Sequence, residues 1–280
     1  MLSIISDIQE RADTTKHRHW HELFIPTSGH TRVWVNGKSR DLTEGDFAMV
    51  PHYVPHSYQL VGSESEFVGF VQPAGFDEFF ANISTLWSPA YNVPYPPDEG
   101  IPFPGAALAS VENEYDINPV SMPTPEPSVS PDWYENNATL PADAKTPYYV
   151  ANGEGSHWWY EELGAAISPL ATAVQSNGNF TISQVSMRKS VNMTVPKWKS
   201  GSHQFLYGMT GAVTVQVGSD EPVQLIRGDA MFIPAYTNFT IENCGNYNKF
   251  LWCSGGWDGI DSQMVEGGTP WGYASPPAHY

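Results

Sequence analysis

The residues most able to do chemistry lie between His17 and His56, which hold six of the nine histidines: His17, His19, His21, His30, His52 and His56. Glu22 follows directly on the alternating run His17-Arg18-His19-Trp20-His21. Histidines two apart point to one face of a strand, because successive side chains alternate sides. Imidazole nitrogens with a carboxylate suit zinc, copper, iron or nickel better than calcium or magnesium. Further on comes GDFAMVP, Gly45 to Pro51, and then His56. A Gly-Asp turn, an apolar strand and a proline-led loop would carry that last histidine back beside the first group. A cluster of surface histidines is the plainer alternative.

The elements around this stretch read as short strands. Thr31 to Val35 alternates with period two, and Asn36-Gly37 supplies the positive-φ pair of a tight hairpin turn. Phe47 to Val50, Ser57 to Val61 and Phe67 to Val71 continue the meander, and Gly75 to Phe80 reads as a short helix. Thirteen prolines between 89 and 147, with carboxylates and few cations, mark a linker. Its aromatics, among them Tyr91, Phe103 and Trp133, favour a linker wrapped on the surface.

Strand patterning returns after Tyr148, and with it an internal repeat. Glu22 with Gly29 recurs as Gln204 with Gly211, Val33 to Val35 recurs within Val213 to Val217, and GDFAMVP recurs as GDAMFIP. Two similar all-β barrels follow, with the domains expected at 1–87 and 148–280 and the linker at 88–147. The second copy is a control on the first. Gln204 stands where Glu22 does, Phe239 where His56 does and, by direct count, Lys199 where His17 does. A scaffold that tolerates non-ligands there does not itself demand histidines. The second barrel is expected to be metal-free, with Lys199, Gln204 and Phe239 lining its interior.

Composition bounds the partners. A net charge of −17 with 15% charged residues offers no basic patch for nucleic acid or an anionic membrane. No apolar run is long enough to span a bilayer, and the opening MLSIISDIQERAD does not read as a secretory leader. Sequons at Asn82, Asn137, Asn179, Asn192 and Asn238 nevertheless point to a glycosylated extracellular protein, so the compartment stays open. Cys244 and Cys253 flank what reads as a hairpin turn, which fits either a cross-strand disulfide or two free thiols.

The repeat resembles the two cupin motifs, and the chain from about Lys16 to Trp271 resembles the fungal quercetin 2,3-dioxygenase-type bicupins. The resemblance is carried by Glu22-Leu23-Phe24 with Gly29, by GDFAMVP with His56, and by Pro73 to Phe76. Pro147 to Gly153, Ser254 to Gly259, Gly267-Gly268 and Trp271 extend it. It implies an all-β bicupin with copper in the N-terminal barrel and none in the C-terminal one. The family ligand pattern puts His17, Glu22 and His56 in register and Thr15 where another histidine belongs. His19 or His21, on the expected strand face of His17, is then the candidate for a fourth ligand, His19 being nearer that histidine position. The family also carries a longer segment ahead of the metal motif, so the chain is either shortened or a diverged member.

The resemblance further implies a flavonol cavity lined by Phe24, Tyr58, Phe67, Val71 and Phe76, although a plain barrel core would select the same residue types. The expected function is metal-dependent ring cleavage of a flavonol or a related enolic polyphenol by O2, with carbon monoxide released in the flavonol case. Glu22 would serve as both ligand and general base, and copper is the first choice of metal, with iron, nickel or manganese as alternatives. The partners are a small aromatic substrate and O2, with no nucleic acid or membrane, and a homodimer as a candidate assembly. The second hypothesis is a metal-free cyclase, isomerase or binding protein of small-molecule biosynthesis. A storage or structural role is third.

Overall fold

The computed structural model describes residues 2–6, 15–83, 115–120, 139–190 and 194–277. The chain is all-β and divides into two compact units. Unit 1 comprises 1–136 with 145–152, and unit 2 comprises 137–144 with 153–280.

Unit 1 contains β1 (Leu2–Ser6), β2 (Thr15–Lys16), β3 (His21–Val35), β4 (Lys38–Leu42), β5 (Phe47–Val50) and β6 (His56–Gln72). The helix α1 (Phe76–Ile83), β7 (Asn118–Pro119) and β8 (Tyr148–Val150) complete it. Two long antiparallel strands, β3 and β6, are its spine. Their register shifts between Pro26 and His30, around Gly29 at φ 62°, where a Cβ would meet the Ser65 backbone. One half of β3 therefore pairs with β5 and the other with β4. The expected hairpin turn is present, with Asn36 at φ 50° and Gly37 at φ 79°. The segments read separately as Ser57 to Val61 and Phe67 to Val71 are one strand, β6. Phe24, Val33, Leu42, Val50 and Phe67 fill the core between the folded halves.

Unit 2 contains β9 (His157–Tyr160), β10 (Ala165–Ala171), β11 (Phe180–Arg188), β12 (Lys197–Lys199), β13 (Gln204–Thr210) and β14 (Val213–Val217). It continues with β15 (Val223–Leu225), β16 (Ala230–Ile233), β17 (Asn238–Glu242), β18 (Tyr247–Gly255), a helix α2 (Ile260–Gly267) and β19 (Thr269–Trp271). A seven-stranded sheet, ordered β16-β13-β18-β11-β10-β9-β19, faces a four-stranded one, ordered β12-β17-β14-β15. Alternating residues of both sheets, among them Ile167, Val185, Val215, Ile241, Phe250 and Trp252, meet in one core.

Two boundaries differ from the sequence expectation. The strand β8, placed by the sequence at the head of the second domain, pairs with β5 and belongs to unit 1. Most of the expected linker lies outside the described residues, but its segment 115–120 forms β7 and joins β2 of unit 1. Both segments are short strands that sheet edges claim, which composition alone does not register. The cysteines are free. The turn between them is not a hairpin, because β17 pairs with β12 and β14 while β18 pairs with β11 and β13. Cys253 lies on β18 and Cys244 in the connection after β17, two strands that are not neighbours in a ladder. Among the described residues no helix is long and apolar enough to cross a membrane.

Candidate metal centre

Three elements of unit 1 converge on one point. Glu22 is the second residue of β3, held between Val50 of β5 and Val71 of β6. His56 opens β6, where its backbone pairs with Val35 and with Thr15 of β2. His17 follows β2, and its carbonyl accepts the backbone N–H of Tyr53 from the turn after Pro51. The ligand atoms of His17, Glu22 and His56 lie within 4.8 Å of one another, and all three residues are buried.

The rings are aimed as well as placed. His17 donates its Nδ1 proton to the Asp116 carbonyl at 3.0 Å, and His56 donates its own to the Val54 carbonyl at 2.9 Å. Each Nε2 is thereby turned inward on the same carboxylate oxygen, Glu22 Oε2, at 3.6 Å from His17 and 2.6 Å from His56. Two ring lone pairs and a carboxylate repel unless a cation stands between them. A proton shared on the 2.6 Å contact between His56 Nε2 and Glu22 Oε2 does this for one pair. A divalent ion would do it for all three groups, and a second partner on each Nδ1 is the usual outer support of a metal-binding histidine. The donor set of two imidazoles and one carboxylate fits a transition metal with open positions.

Electrostatics agree with the geometry. Burial pushes the Glu22 carboxyl up, yet hydrogen bonds and charge from His17 and His56 overcome it and bring it down to about 2. Burial pushes His17 down, but Glu22 and then Asp116 outweigh it and hold the imidazole above its usual 6.5. Burial first and the Glu22 carboxylate second push the Tyr58 phenol up.

His19 is not part of the centre. Residues 18–19 form a bend rather than a strand, so the alternation that would put His19 beside His17 does not apply. Its side chain is exposed, and its backbone N–H, like that of Arg18, donates to Asp116 Oδ2. His21 is buried outside the group, edge-on to His52 at 5.0 Å, and burial followed by His52 lowers its pKa to about 4. His30 is exposed on β3, while His52 is half-buried in the turn after Pro51.

The expected lining residues fall into two groups. Phe24, Tyr58 and Phe67 pack together at ring distances of 5.1–5.6 Å, with Phe24 6.3 Å from the His56 ring. Phe76 and Val71 belong to a second cluster with Trp20, Phe79, Tyr115 and Ile117. In that cluster Phe76 lies edge-on to His17 at 5.2 Å and Trp20 tilts over the same ring at 5.5 Å. Two residues escaped the sequence reading. Trp20 sits beside the histidine run but carries no ligand atom, and Asp116 lies within the presumed linker. The positive φ of Asp116, 49°, is the local mark of its special position, and it is not legible in sequence.

The counterpart in unit 2 is built for other ends. Gln204 pairs with Ile233 and Ser254 as Glu22 pairs with Val50 and Val71. Its Oε1 accepts from Trp252 Nε1 at 2.8 Å and is 2.6 Å from Ser254 Oγ, and its Nε2 donates to the Ser202 carbonyl at 3.0 Å. Phe239 is buried at the position of His56, pairing with Val217 as His56 does with Val35. Lys199, however, is exposed. The residue equivalent to His17 is the buried Ser200, whose carbonyl accepts the Tyr236 N–H at 2.6 Å as that of His17 accepts Tyr53. The loop before Gln204 is one residue shorter than that before Glu22, and counting without a gap misses the slip. Among the described residues the His17–Glu22–His56 group is the one set able to hold a metal.

Residues 5–71 match the cupin domain family. The chain is similar to the quercetin 2,3-dioxygenase of Aspergillus japonicus, at 28% identity over 94% of this chain and 81% of that protein. It is also similar to the quercetin 2,3-dioxygenase of Bacillus subtilis, at 23% identity over 84% of this chain and 66% of the relative, just under two thirds of its length. In fold it is similar to the protein Ylba from E. coli, with a TM-score of 0.52 at 8% identity, over 92% of this chain and 76% of that one.

Proposed function

We propose that this chain, a quercetin 2,3-dioxygenase-like cupin, is a metal-dependent dioxygenase opening the ring of a flavonol or a related enolic polyphenol. The single observation that carries the reading is the convergence of two carbonyl-anchored imidazoles on one buried carboxylate oxygen. His17, Glu22 and His56 would hold one divalent transition-metal ion, copper first, with iron, nickel or manganese as alternatives. When bound there, such an ion supplies Lewis-acid and redox chemistry.

The rest of the work falls to the protein. Glu22 directs Oε2 at both histidines, which leaves Oε1 to take the proton of the substrate's acidic hydroxyl. A carboxyl brought down to about 2 is a weak base, which suits an enolic hydroxyl better than an ordinary alcohol. The Phe24–Tyr58–Phe67 group beside His56 and the Phe76–Trp20 pair beside His17 give the centre apolar, aromatic flanks. Such flanks suit a flat polyphenol, exclude water and strengthen charge interactions at the carboxylate. Phe24 and Phe67 are fully buried, so their part is to back the half-buried Tyr58.

The test is aerobic incubation of metal-loaded protein with a flavonol. One O2 consumed and one carbon monoxide released per flavonol opened supports the reading. Metal-loaded protein that binds a flavonol without consuming O2 contradicts it, and favours a binding protein or isomerase.

A further inference from the structure

The strands that carry Glu22 and His56 also carry a second tier of side chains. Residues two apart on a strand share a face, so Phe24 follows Glu22 on β3 and Tyr58 follows His56 on β6. Phe67, from the far half of β6, completes the tier. Its ring stands edge-on to Tyr58 at 5.1 Å, and Phe24 tilts against Tyr58 at 5.6 Å. Phe24 and Phe67 are fully buried while Tyr58 is half-buried, so Tyr58 is the ring that this tier presents. The Glu22 carboxylate is close enough for its charge to act on the phenol.

The internal repeat is a control on these positions too. Leu206 pairs with Trp252 as Phe24 does with Gly69, and Phe250 pairs with Gly208 as Phe67 does with Pro26. Ile241 pairs with Val215 as Tyr58 does with Val33. Leu206, Ile241 and Phe250 are all wholly buried in the core of unit 2, and none has a polar side-chain atom. The barrel therefore asks this tier for apolar bulk and not for a hydroxyl. A phenol O–H set among aromatic rings costs stability unless an acceptor reaches it. Among the described residues the Tyr58 hydroxyl bonds to no acceptor.

We propose that Tyr58 sets ligand specificity at this centre, its phenol O–H donating a hydrogen bond to a ring hydroxyl that the substrate carries apart from its enolic group. This rests on the reading above, a polyphenol bound with its enolic hydroxyl at Glu22. Tyr58 stands two residues from His56, about 7 Å along the strand, a step longer than one hydroxyl reaches and within the span of a multi-ring ligand. A flat ligand anchored at Glu22 would lie along the tier with its further rings beside Tyr58. A site with a donor for a substrate hydroxyl discriminates against the analogue that lacks it, whereas an all-apolar tier such as that of unit 2 would not.

The test is binding to the full chain as purified, in the absence of O2, with two probes: quercetin, and the parent flavonol that bears the enolic hydroxyl alone. Tyr58→Phe keeps the ring and removes the oxygen. It should weaken quercetin binding by about three- to tenfold, the worth of one hydrogen bond between neutral groups, and leave the affinity for the parent flavonol unchanged. Its unfolding temperature should not fall below that of the wild type, because the hydroxyl serves the ligand rather than the fold. Equal weakening of both probes, weakening of neither, or a lower unfolding temperature would overturn the proposal. Binding and ring opening are read apart. A wild type that shows this ratio against Tyr58→Phe yet consumes no O2 loses the dioxygenase reading and keeps Tyr58 in its role. Absence of saturable binding of either probe to the wild type would remove both.

Discussion

Gln204 occupies the place of Glu22 strand for strand, yet its side-chain oxygen faces the Trp252 N–H where that of Glu22 faces two histidines. One scaffold position therefore serves as a structural junction in unit 2 and as the convergence point of unit 1. Below Gln204 the network continues through Ser254 to the buried Asp261, which also accepts from Thr181 and Ser183. Burial raises the Asp261 carboxyl, with those hydrogen bonds working against the rise.

Replacing Gln204 by Glu tests whether position alone makes a metal site. The carboxylate would lose the donor bond to Ser202 and share Ser254 with Asp261. Stability to denaturant should fall by about 1–3 kcal/mol, the cost of an unsatisfied buried polar group. Metal per chain should stay unchanged, because Ser200 and Phe239 bring no nitrogen; an added equivalent of bound metal would refute this.

Asp116 holds His17 from a distant part of the chain. Its carbonyl fixes the ring, and its carboxylate ties the Arg18 and His19 backbone into the bend that carries His17. Asp116→Ala should weaken metal affinity by about 10- to 100-fold, as loss of an outer support of a ligand does. Turnover per bound metal should change little. Competition with a chelator measures the first quantity, and unchanged affinity would remove Asp116 from the centre.

Legibility in the sequence followed what the residues do locally. Glu22, His56 and the β5 strand were readable because a Gly-Asp turn, an apolar run and a proline are local signals. That the second copy places Gln204 and Phe239 at the positions of Glu22 and His56 was readable because the repeat aligns them. His19 was misplaced because alternation presumes a strand, and the Asp116 carboxylate turns residues 18–19 into a bend. Lys199 stood in for Ser200 because a one-residue loop difference shows only once the strands are paired. Trp20, Asp116 and the edge strand β8 act through contacts with sequence-distant partners, which no local pattern encodes.

Protonation of the cluster sets a pH window for the metal-free protein. The Glu22 carboxyl moves from 4.5 to about 2 and His17 moves above 6.5. A lowered acid stabilises above its unfolded value and loses that as pH falls through the folded one. A raised base stabilises below its unfolded value and loses that as pH rises through the folded one. The stability difference between wild type and Glu22→Gln should be flat from 4.5 to 6.5 and shrink on both sides. A difference that stays constant across roughly pH 3 to 9 would refute the coupling.

On the proposed reading Glu22 has two tasks, ligand and general base, where each histidine has one. His17→Ala or His56→Ala should lower metal occupancy, with activity falling in proportion. Glu22→Gln should keep part of the metal and lower turnover per bound ion by roughly 10²-fold, the scale of a lost general base. An unchanged rate per bound ion would leave Glu22 as a ligand only.

The most direct measurement is metal content of the purified wild-type chain by elemental analysis, taken with oxygen uptake on a flavonol in the same sample. About one transition-metal ion per chain is expected, in line with a single site, with uptake that scales with occupancy and vanishes when His17 and His56 are both replaced by alanine. A wild-type protein that carries no transition metal and still converts its substrate at full rate would contradict it.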